Sequence, residues 1–243
     1  MKTVAVIQAR MGSTRLPHKV LMDLGGETVL ARVIRRLSRS RMVSELIVAT
    51  SDSPGDDAIV RECERLGVSC FRGSEHDVLD RYYQAARAAV AESVARITSD
   101  CPLIDAELVD DTVRAFVEQQ ADYASNVFPR TYPLGLDAEV FTVAALDRAW
   151  RQSHEPHQRE HVTPYFYEHP ETFKLAFTRN ESDYSAYRWT LDTAEDLELL
   201  RNIYSRFGNQ DNFGWREAVM LMEREPKLAE LNAHVMQKSL NAS

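Results

Sequence analysis

The chain contains 243 residues, of which 44% are hydrophobic and 27% charged, so it can bury the core of one α/β domain with an additional arm. Its formal net charge of −8 argues against general binding to nucleic acid, which requires a basic surface. No apolar run approaches the roughly 18 residues that span a bilayer. The first apolar run is too short for a signal peptide. We therefore expect a cytoplasmic protein that binds neither nucleic acid nor membranes.

Short apolar runs alternate with amphipathic segments over the first 120 residues. The apolar runs predict four strands of a parallel sheet, over residues 4–7, 46–50, 68–71 and 94–98. The amphipathic segments predict helices over residues 28–40, 56–66, 77–91 and 105–120. This alternation implies right-handed βαβ units, so we predict a doubly wound, mostly parallel α/β core with helices on both faces.

The pattern becomes irregular after Tyr123. Strands are predicted over residues 137–141, 173–177 and 187–191. Helices are predicted over residues 142–153, 159–167 and 193–207. We interpret the whole chain, residues 1–243, as a single domain with an inserted arm over about 125–185. A helical tail follows over about 214–243, and its last residues, SLNAS, are expected to fray.

A basic turn follows the first predicted strand. Residues 8–19 read QARMGSTRLPHK, and the small residues would let backbone N–H groups approach an anion. The cations Arg10, Arg15 and Lys19 would neutralise a polyphosphate. The turn matches neither GxxxxGK[ST] nor GxGxxG, and a solvated basic turn is the alternative interpretation.

Two carboxylates follow predicted strands elsewhere in the chain. Ligands of open α/β sheets bind beyond the carboxyl ends of the strands, and this is where Asp100 and Asp192 lie. Both could hold Mg²⁺ against phosphate oxygens, although Asp100 could also be a simple turn residue. We assign Asp105 as a helix N-cap and pair Thr193 with Asp196 in a capping box.

The basic turn resembles the signature loop of the cytidylyltransferases that make CMP-sugar acids, and most closely the SpsF-like branch. Six further segments match that family in order along the chain: FRGS (71–74), VLDRYY (78–83), SDCPL (99–103), YPLGLDAEV (132–140), REHVT (159–163) and LDTAEDL (191–197). The resemblance implies a Rossmann-like nucleotidyltransferase core with an inserted dimerisation and substrate arm, and a homodimer.

The resemblance also implies roles for single residues. Asp100 and Asp192 match the family's Mg²⁺ ligands, and the residues expected to be catalytic are Arg10, Lys19 and Asp100. The residues expected to bind the nucleotide are Gln8, Ala9, Arg10, Met11, Gly12, Ser13, Arg15, Lys19, Arg72 and Ser99. The family usually has glycine before the lysine, where this chain has His18, and histidine would be strained if that position needs a positive φ.

The implied reaction is attack by an oxygen of a small acidic substrate on the α-phosphorus of CTP, with release of pyrophosphate. The acceptor is expected to be a sugar acid, with a small phosphonate as the alternative. Its expected contacts are Arg130, Tyr132, Gly135, Asp137, Glu139, Arg159, Glu160 and His161. For Glu139 an exposed strand position is a competing interpretation. A zinc site at His154, His157 and His161 is disfavoured because Pro156 interrupts their spacing.

Two other classes of function compete with this interpretation. A nucleotide-sugar-dependent glycosyltransferase would carry a D-x-D motif at a strand end, whereas the spacing here is Asp100…Asp105. A non-catalytic nucleotide-binding protein would be free to lose the metal carboxylates, yet Arg10, Lys19 and both aspartates are present.

Overall fold

A computed structural model describes residues 1–237, and the predicted fraying of SLNAS falls outside them. Within that range seven strands form one sheet: β1 (Thr3–Gln8), β2 (Glu45–Ser51), β3 (Ser69–Gly73), β4 (Ser93–Thr98), β5 (Tyr123–Ser125), β6 (Glu139–Thr142) and β7 (Leu175–Phe177). Their order is β3-β2-β1-β4-β6-β5-β7. Only β6 runs antiparallel to its neighbours among these strands, so the predicted mostly parallel sheet is confirmed.

Helices connect the strands and extend the chain beyond them. They are α1 (Val29–Leu37), α2 (Asp57–Leu66), α3 (Val78–Ala88), α4 (Ala106–Glu118), α5 (Val143–Gln152), α6 (Pro156–His161), α7 (Pro164–Glu168), α8 (Ala194–Arg206), α9 (Trp215–Arg224) and α10 (Lys227–Glu230). Each of the first four strands is followed by one helix, which confirms the predicted βαβ order of the first half.

Several helices begin where a side-chain oxygen can accept a backbone N–H. Thr28 accepts from Ala31 at 3.0 Å, and Asp105 accepts from Glu107 at 2.9 Å. The predicted capping box of Thr193 and Asp196 is present at the start of α8. These caps satisfy donors that would otherwise lack a partner in the first helical turn.

Alternate residues of the buried strands pack into different apolar layers. Ala5 and Ile7 of β1 belong to one layer, which also contains residues of α1, α2 and α4. Val4 and Val6 belong to the opposite layer, with residues of α3, α5 and α7. The side-chain period of two in a strand explains this division. Helices therefore cover both faces of the sheet, as predicted.

Two predicted elements of the second half are wrong. Residues 187–191 are not a regular strand, because their only β-pairing within residues 1–237 is an isolated bridge between Leu134 and Arg188. Residues 159–167 are not one helix but the end of α6 and most of α7. Pro164 has no N–H to continue the helix, and Val162 has a φ of 73°.

The segment interpreted as an arm is partly integrated into the sheet. It supplies β6 and β7, which flank β5 at one side of the sheet, and α5 and α7 pack in the same apolar layer as α3. Because β6 is antiparallel to β4, residues just before β6 lie at the edge where β4 ends. This segment therefore brings side chains to the carboxyl edge of the parallel strands.

Gly135 allows two chain segments to approach closely beside that edge. Its φ is 108°, and a Cβ atom there would lie 2.7 Å from the backbone N of Thr190 and 2.7 Å from the carbonyl carbon of Trp189. The adjacent backbone N–H of Trp189 donates to the Leu134 carbonyl at 2.7 Å. A side chain at position 135 would separate these segments.

We expect Gly135→Ala to lower the free energy of unfolding by about 3 kcal/mol, because it adds overpacking to the cost of a positive φ. Gly26→Ala is the matched control, since Gly26 has a φ of 89° but a Cβ atom there would have no other atom within 4 Å. That variant should lose only about 1 kcal/mol. Urea unfolding measures both, and equal losses would contradict the proposed steric contact.

Candidate active site

Asp56 attaches the basic loop after β1 to the end of β2. One carboxylate oxygen accepts the Met11 backbone N–H at 2.7 Å. The other accepts from the Thr50 hydroxyl and the Ser51 backbone N–H, both at 3.1 Å. Asp56 is buried, so these bonds are made in a medium where they are strong. Sequence reasoning missed this residue, because one aspartate after a strand resembles any turn residue.

His18 has the left-handed backbone conformation that its position requires. Its φ is 62° and its ψ is 13°, at the start of a short 3₁₀ turn, Lys19–Leu21. The histidine that stands where the family usually has glycine therefore adopts a backbone conformation that costs a non-glycine residue about 1 kcal/mol. The turn directs Lys19 inward, toward the sheet edge.

The buried ammonium of Lys19 joins three segments of the chain. It donates to Asp100 Oδ2 at 2.7 Å, to Asp192 Oδ1 at 2.8 Å and to the Leu191 carbonyl at 2.8 Å. All three N–H donors of the lysine are thereby used. The structure thus brings together the basic loop, the end of β4 and the segment before α8.

Electrostatic attraction within this cluster shifts its protonation equilibria. Burial by itself would lower the pKa of Lys19, but the charges of Asp100 and Asp192 outweigh it and raise that pKa above its ordinary value. Burial would raise the pKa of Asp100, but the Lys19 charge and its hydrogen bond lower it overall. Both groups are therefore charged at neutral pH.

Two arginines contact the second oxygen of the Asp192 carboxylate. Arg15 lies 2.9 Å from Oδ2, and Arg188 lies 2.8 Å from the same atom. Arg15 comes from the basic loop, as predicted. Arg188 was missed because it lies before the motif, four residues ahead of Asp192, inside a segment predicted to be a strand.

The other residues expected to bind nucleotide divide into three environments. Arg10 and Gly12 are exposed on the loop, whereas Ala9 and Ser99 are buried, with the Ser99 N–H donating to the Gln8 carbonyl at 2.9 Å. The Ser13 hydroxyl accepts the Leu16 N–H at 3.3 Å within the loop. Arg10 and Gly12 are thus in positions that a ligand can reach.

Arg72 is already bound by protein groups. Its guanidinium pairs with Asp57 at 2.7 Å and donates to the Ser51 and Ser53 carbonyls at 3.0 and 2.8 Å. Arg72 lies near the end of β3, two strands away from β1, whereas Lys19 contacts the end of β4.

Arg81 is a buried cation that sequence reasoning did not single out. Its Nη1 donates to the Ser74 carbonyl at 2.8 Å, but Nε and Nη2 have no hydrogen-bond partner among the described residues. Burial lowers its pKa below the ordinary value, and the nearby charge of Arg10 acts in the same direction. Arg81 thus adds positive charge beneath the loop.

The predicted acceptor residues at the start of β6 lie beside the end of β4. Arg130 binds Asp137 through two hydrogen bonds, of 2.5 and 2.8 Å. The Cys101 thiol lies 3.6 Å from Asp100 Oδ1. Burial raises the pKa of this thiol, and the negative charges of Asp100 and Asp137 raise it further.

Glu139 is buried, so its interpretation as an exposed strand residue is wrong. Its carboxylate pairs with Arg96 on β4 and accepts from the Tyr123 hydroxyl, each at 2.5 Å. Arg96 and Glu139 are direct partners in the antiparallel register, which explains why the pair forms.

Two of the remaining predicted acceptor residues already contact other groups of the protein. Tyr132 is buried and packs edge to face on Trp215, with ring centroids 5.3 Å apart. Arg159 binds Asp77 at the start of α3, while Glu160 and His161 are half-buried on α6. Gly135 has the structural role described above. Tyr132 and Arg159 therefore already have partners within the protein.

The disfavoured zinc site is not present among residues 1–237, where no group of three or more His, Cys, Asp or Glu side chains could hold a metal ion. His157 instead pairs with Glu168 at 2.8 Å. No helix in the same range is both long and apolar enough to cross a membrane.

A model of the cytidylyltransferase family matches residues 4–238. An uncharacterized protein of Methanocaldococcus jannaschii is 40% identical, covering 98% of both chains. The spore coat polysaccharide biosynthesis protein SpsF of Bacillus subtilis is 36% identical, covering 92% of this chain and 95% of that one. The solved structure of a cytidylyltransferase from Leptospira borgpetersenii has a TM-score of 0.91 and 35% identity, covering 98% of this chain and 99% of that one.

We expect Asp56→Asn to lower the free energy of unfolding by about 2 kcal/mol, since an amide nitrogen would face N–H donors that now bind a carboxylate. Hydrogen exchange of the Met11 amide should become faster. Asp52→Asn, at an exposed neighbouring position, is the control and should change neither quantity. Unchanged Met11 protection in Asp56→Asn would show that this carboxylate does not attach the loop.

Proposed function

This chain belongs to the cytidylyltransferase family, and we propose that it transfers the CMP part of CTP to a sugar acid and releases pyrophosphate. The CTP-dependent transfer of CMP follows from the family, which decides against the glycosyltransferase and non-catalytic alternatives. The acceptor is the proposed part. It is supported by the similarity to SpsF and to 3-deoxy-manno-octulosonate cytidylyltransferases, one of which is 30% identical over 85% of this chain.

The observation that carries the proposal is the cluster in which Lys19 contacts Asp100 and Asp192 beside an exposed basic loop. Triphosphate oxygens that approach the basic loop would meet Arg10, Arg15 and Lys19. The charge of these side chains stabilises the negative charge that builds on the phosphate oxygens during transfer. Positioning and electrostatics of this kind supply most of the rate enhancement in phosphoryl transfer, so no covalent enzyme intermediate is required.

The donor set around Lys19 fits Mg²⁺. Two carboxylates already converge on one cation, the Lys19 ammonium, and hard oxygen ligands of this kind suit Mg²⁺. Nucleotide sites commonly hold this ion with one or two carboxylates plus substrate phosphates. We assign Asp100 and Asp192 as the residues that would hold it. When bound, the metal neutralises charge on the phosphate oxygens.

The acceptor would bind beside the start of β6. Arg130 provides a planar guanidinium suited to a carboxylate, and its partner Asp137 precedes β6, at the edge where β4 ends. The buried Arg96–Glu139 pair lies on the same strands, two residues further into the sheet. Among the predicted acceptor residues, Arg130 and Asp137 therefore have the strongest support.

The homodimer remains a proposal that rests on resemblance. Phe177, the last residue of the edge strand β7, and Phe128 beside it are exposed in the arm and are the residues we propose for a subunit contact. Analytical ultracentrifugation at micromolar concentration tests this, and a pure monomer would contradict it.

A pyrophosphate-release screen tests the proposed acceptor. The enzyme is incubated with Mg²⁺, each of the four ribonucleoside triphosphates, and panels of sugar acids and small phosphonates. We expect release with CTP and a sugar acid, and mass spectrometry should identify a CMP-sugar acid. Turnover of phosphonates alone would overturn the proposed acceptor class.

We expect Asp100→Ala to reduce turnover about 100-fold or more, because it removes a carboxylate that would hold the metal beside the phosphates. The fold should persist, since the Asp100 side chain is half-buried and Lys19 keeps Asp192. Asp111→Ala, in an exposed pair with Arg114, is the control and should retain full activity. Unchanged kcat in the Asp100 variant would refute the metal assignment.

A further inference from the structure

Arg188 makes contacts with all of its guanidinium nitrogens. Nη2 donates to Asp192 Oδ2 at 2.8 Å and to Asp196 Oδ2 at 3.1 Å, and Nε donates to Asp196 Oδ1 at 3.0 Å. Nη1 donates to Gln237 Oε1 at 2.6 Å. Only 8% of the Arg188 side chain is exposed. Its orientation is therefore determined by several hydrogen bonds at once.

Asp196 neutralises Arg188 from the first turn of α8. Its carboxylate is fully buried and also accepts the backbone N–H groups of Asp192 and Thr193, at 2.9 and 3.0 Å. The same residue thus fixes the arginine and the backbone that carries Asp192. The Arg188–Asp196 pair has no net charge, so its contact with Asp192 acts through geometry more than through added positive charge.

The C-terminal segment completes this arrangement. Asn232 Nδ2 donates to the Arg188 carbonyl at 2.9 Å and to Asp196 Oδ1 at 2.8 Å. Asn232 is buried, and Gln237 lies five residues later along the chain. Asn232 therefore contacts Arg188, the residue that binds Asp192, although the two are more than forty positions apart in sequence.

We propose that Arg188 is a positioning residue that orients the Asp192 carboxylate, and that Asn232 fixes Arg188 in turn. By binding Oδ2, Arg188 leaves Oδ1 directed toward Asp100 and the place that the Lys19 ammonium occupies. The inference rests on the proposed metal role of Asp192. Residues that orient a metal ligand commonly change metal affinity about 10- to 100-fold when they are removed.

Calorimetric titration of the full-length enzyme separates this role from a general structural one. Binding of CTP is measured without acceptor, once with Mg²⁺ and once with EDTA. For Arg188→Gln we expect the Kd of Mg·CTP to rise about 10-fold, while the Kd of metal-free CTP changes less than about twofold. Arg188→Lys should be intermediate, since it can reach one carboxylate but cannot fork between two.

Arg206→Gln is the matched control, because it removes an arginine from the far end of α8, where it pairs with exposed Glu225. It should bind both forms of CTP as the unmodified enzyme does. Equal weakening of both forms in Arg188→Gln would indicate loss of structure or phosphate attraction and would overturn the proposal. An unchanged Kd for Mg·CTP would overturn it as well.

Asn232→Ala keeps the test decisive if Arg188→Gln does not fold. It removes two hydrogen bonds but leaves Arg188 and Asp196 in place, so the Kd of Mg·CTP should rise about threefold to fivefold. Unchanged binding in a folded Asn232 variant would contradict the inference. Failure of the unmodified enzyme to bind CTP would instead contradict the proposed function, so the two failures are distinguishable.

Discussion

The arrangement of the site depends on one interaction, the contact of the buried Lys19 ammonium with Asp100 and Asp192. Taking three charges out of water is costly, and only close contacts with good geometry offset that cost. The lysine meets this requirement with three acceptors at 2.7 to 2.8 Å. Because its acceptors come from the end of β4 and the segment before α8, the contact determines where the basic loop lies.

The topology of the sheet makes that contact possible. β1 and β4 are parallel neighbours in register, so the loop after β1 and Asp100 after β4 emerge at the same edge. β6 runs antiparallel to β4, so Asp137 and Arg130, which precede β6 in sequence, lie at the same edge. The basic loop, Asp100 and the Arg130–Asp137 pair therefore follow or precede adjacent strands of the sheet.

Positive charge is concentrated at the basic loop, and carboxylates balance part of it. The chain as a whole is acidic, with 37 Asp and Glu against 29 Lys and Arg, yet Arg10, Arg15, Lys19 and Arg81 are concentrated around one loop. Asp192 holds two of these cations and Arg188 as well. Under the proposed function, polyphosphate oxygens would become further partners of these cations.

The sequence by itself determined the alternation of strands and helices, the caps at Asp105 and Thr193, and the basic loop, because these follow from local periodicity and short-range hydrogen bonds. It also placed Asp100 and Asp192 after predicted strands. Only the tertiary structure decided that 187–191 is not a strand, that Glu139 is buried, and that Asp56 and Arg188 support the site. Those outcomes depend on partners distant in sequence, such as Arg96 on a neighbouring strand or Asn232 near the C-terminus, and no local pattern specifies which partner a side chain will meet.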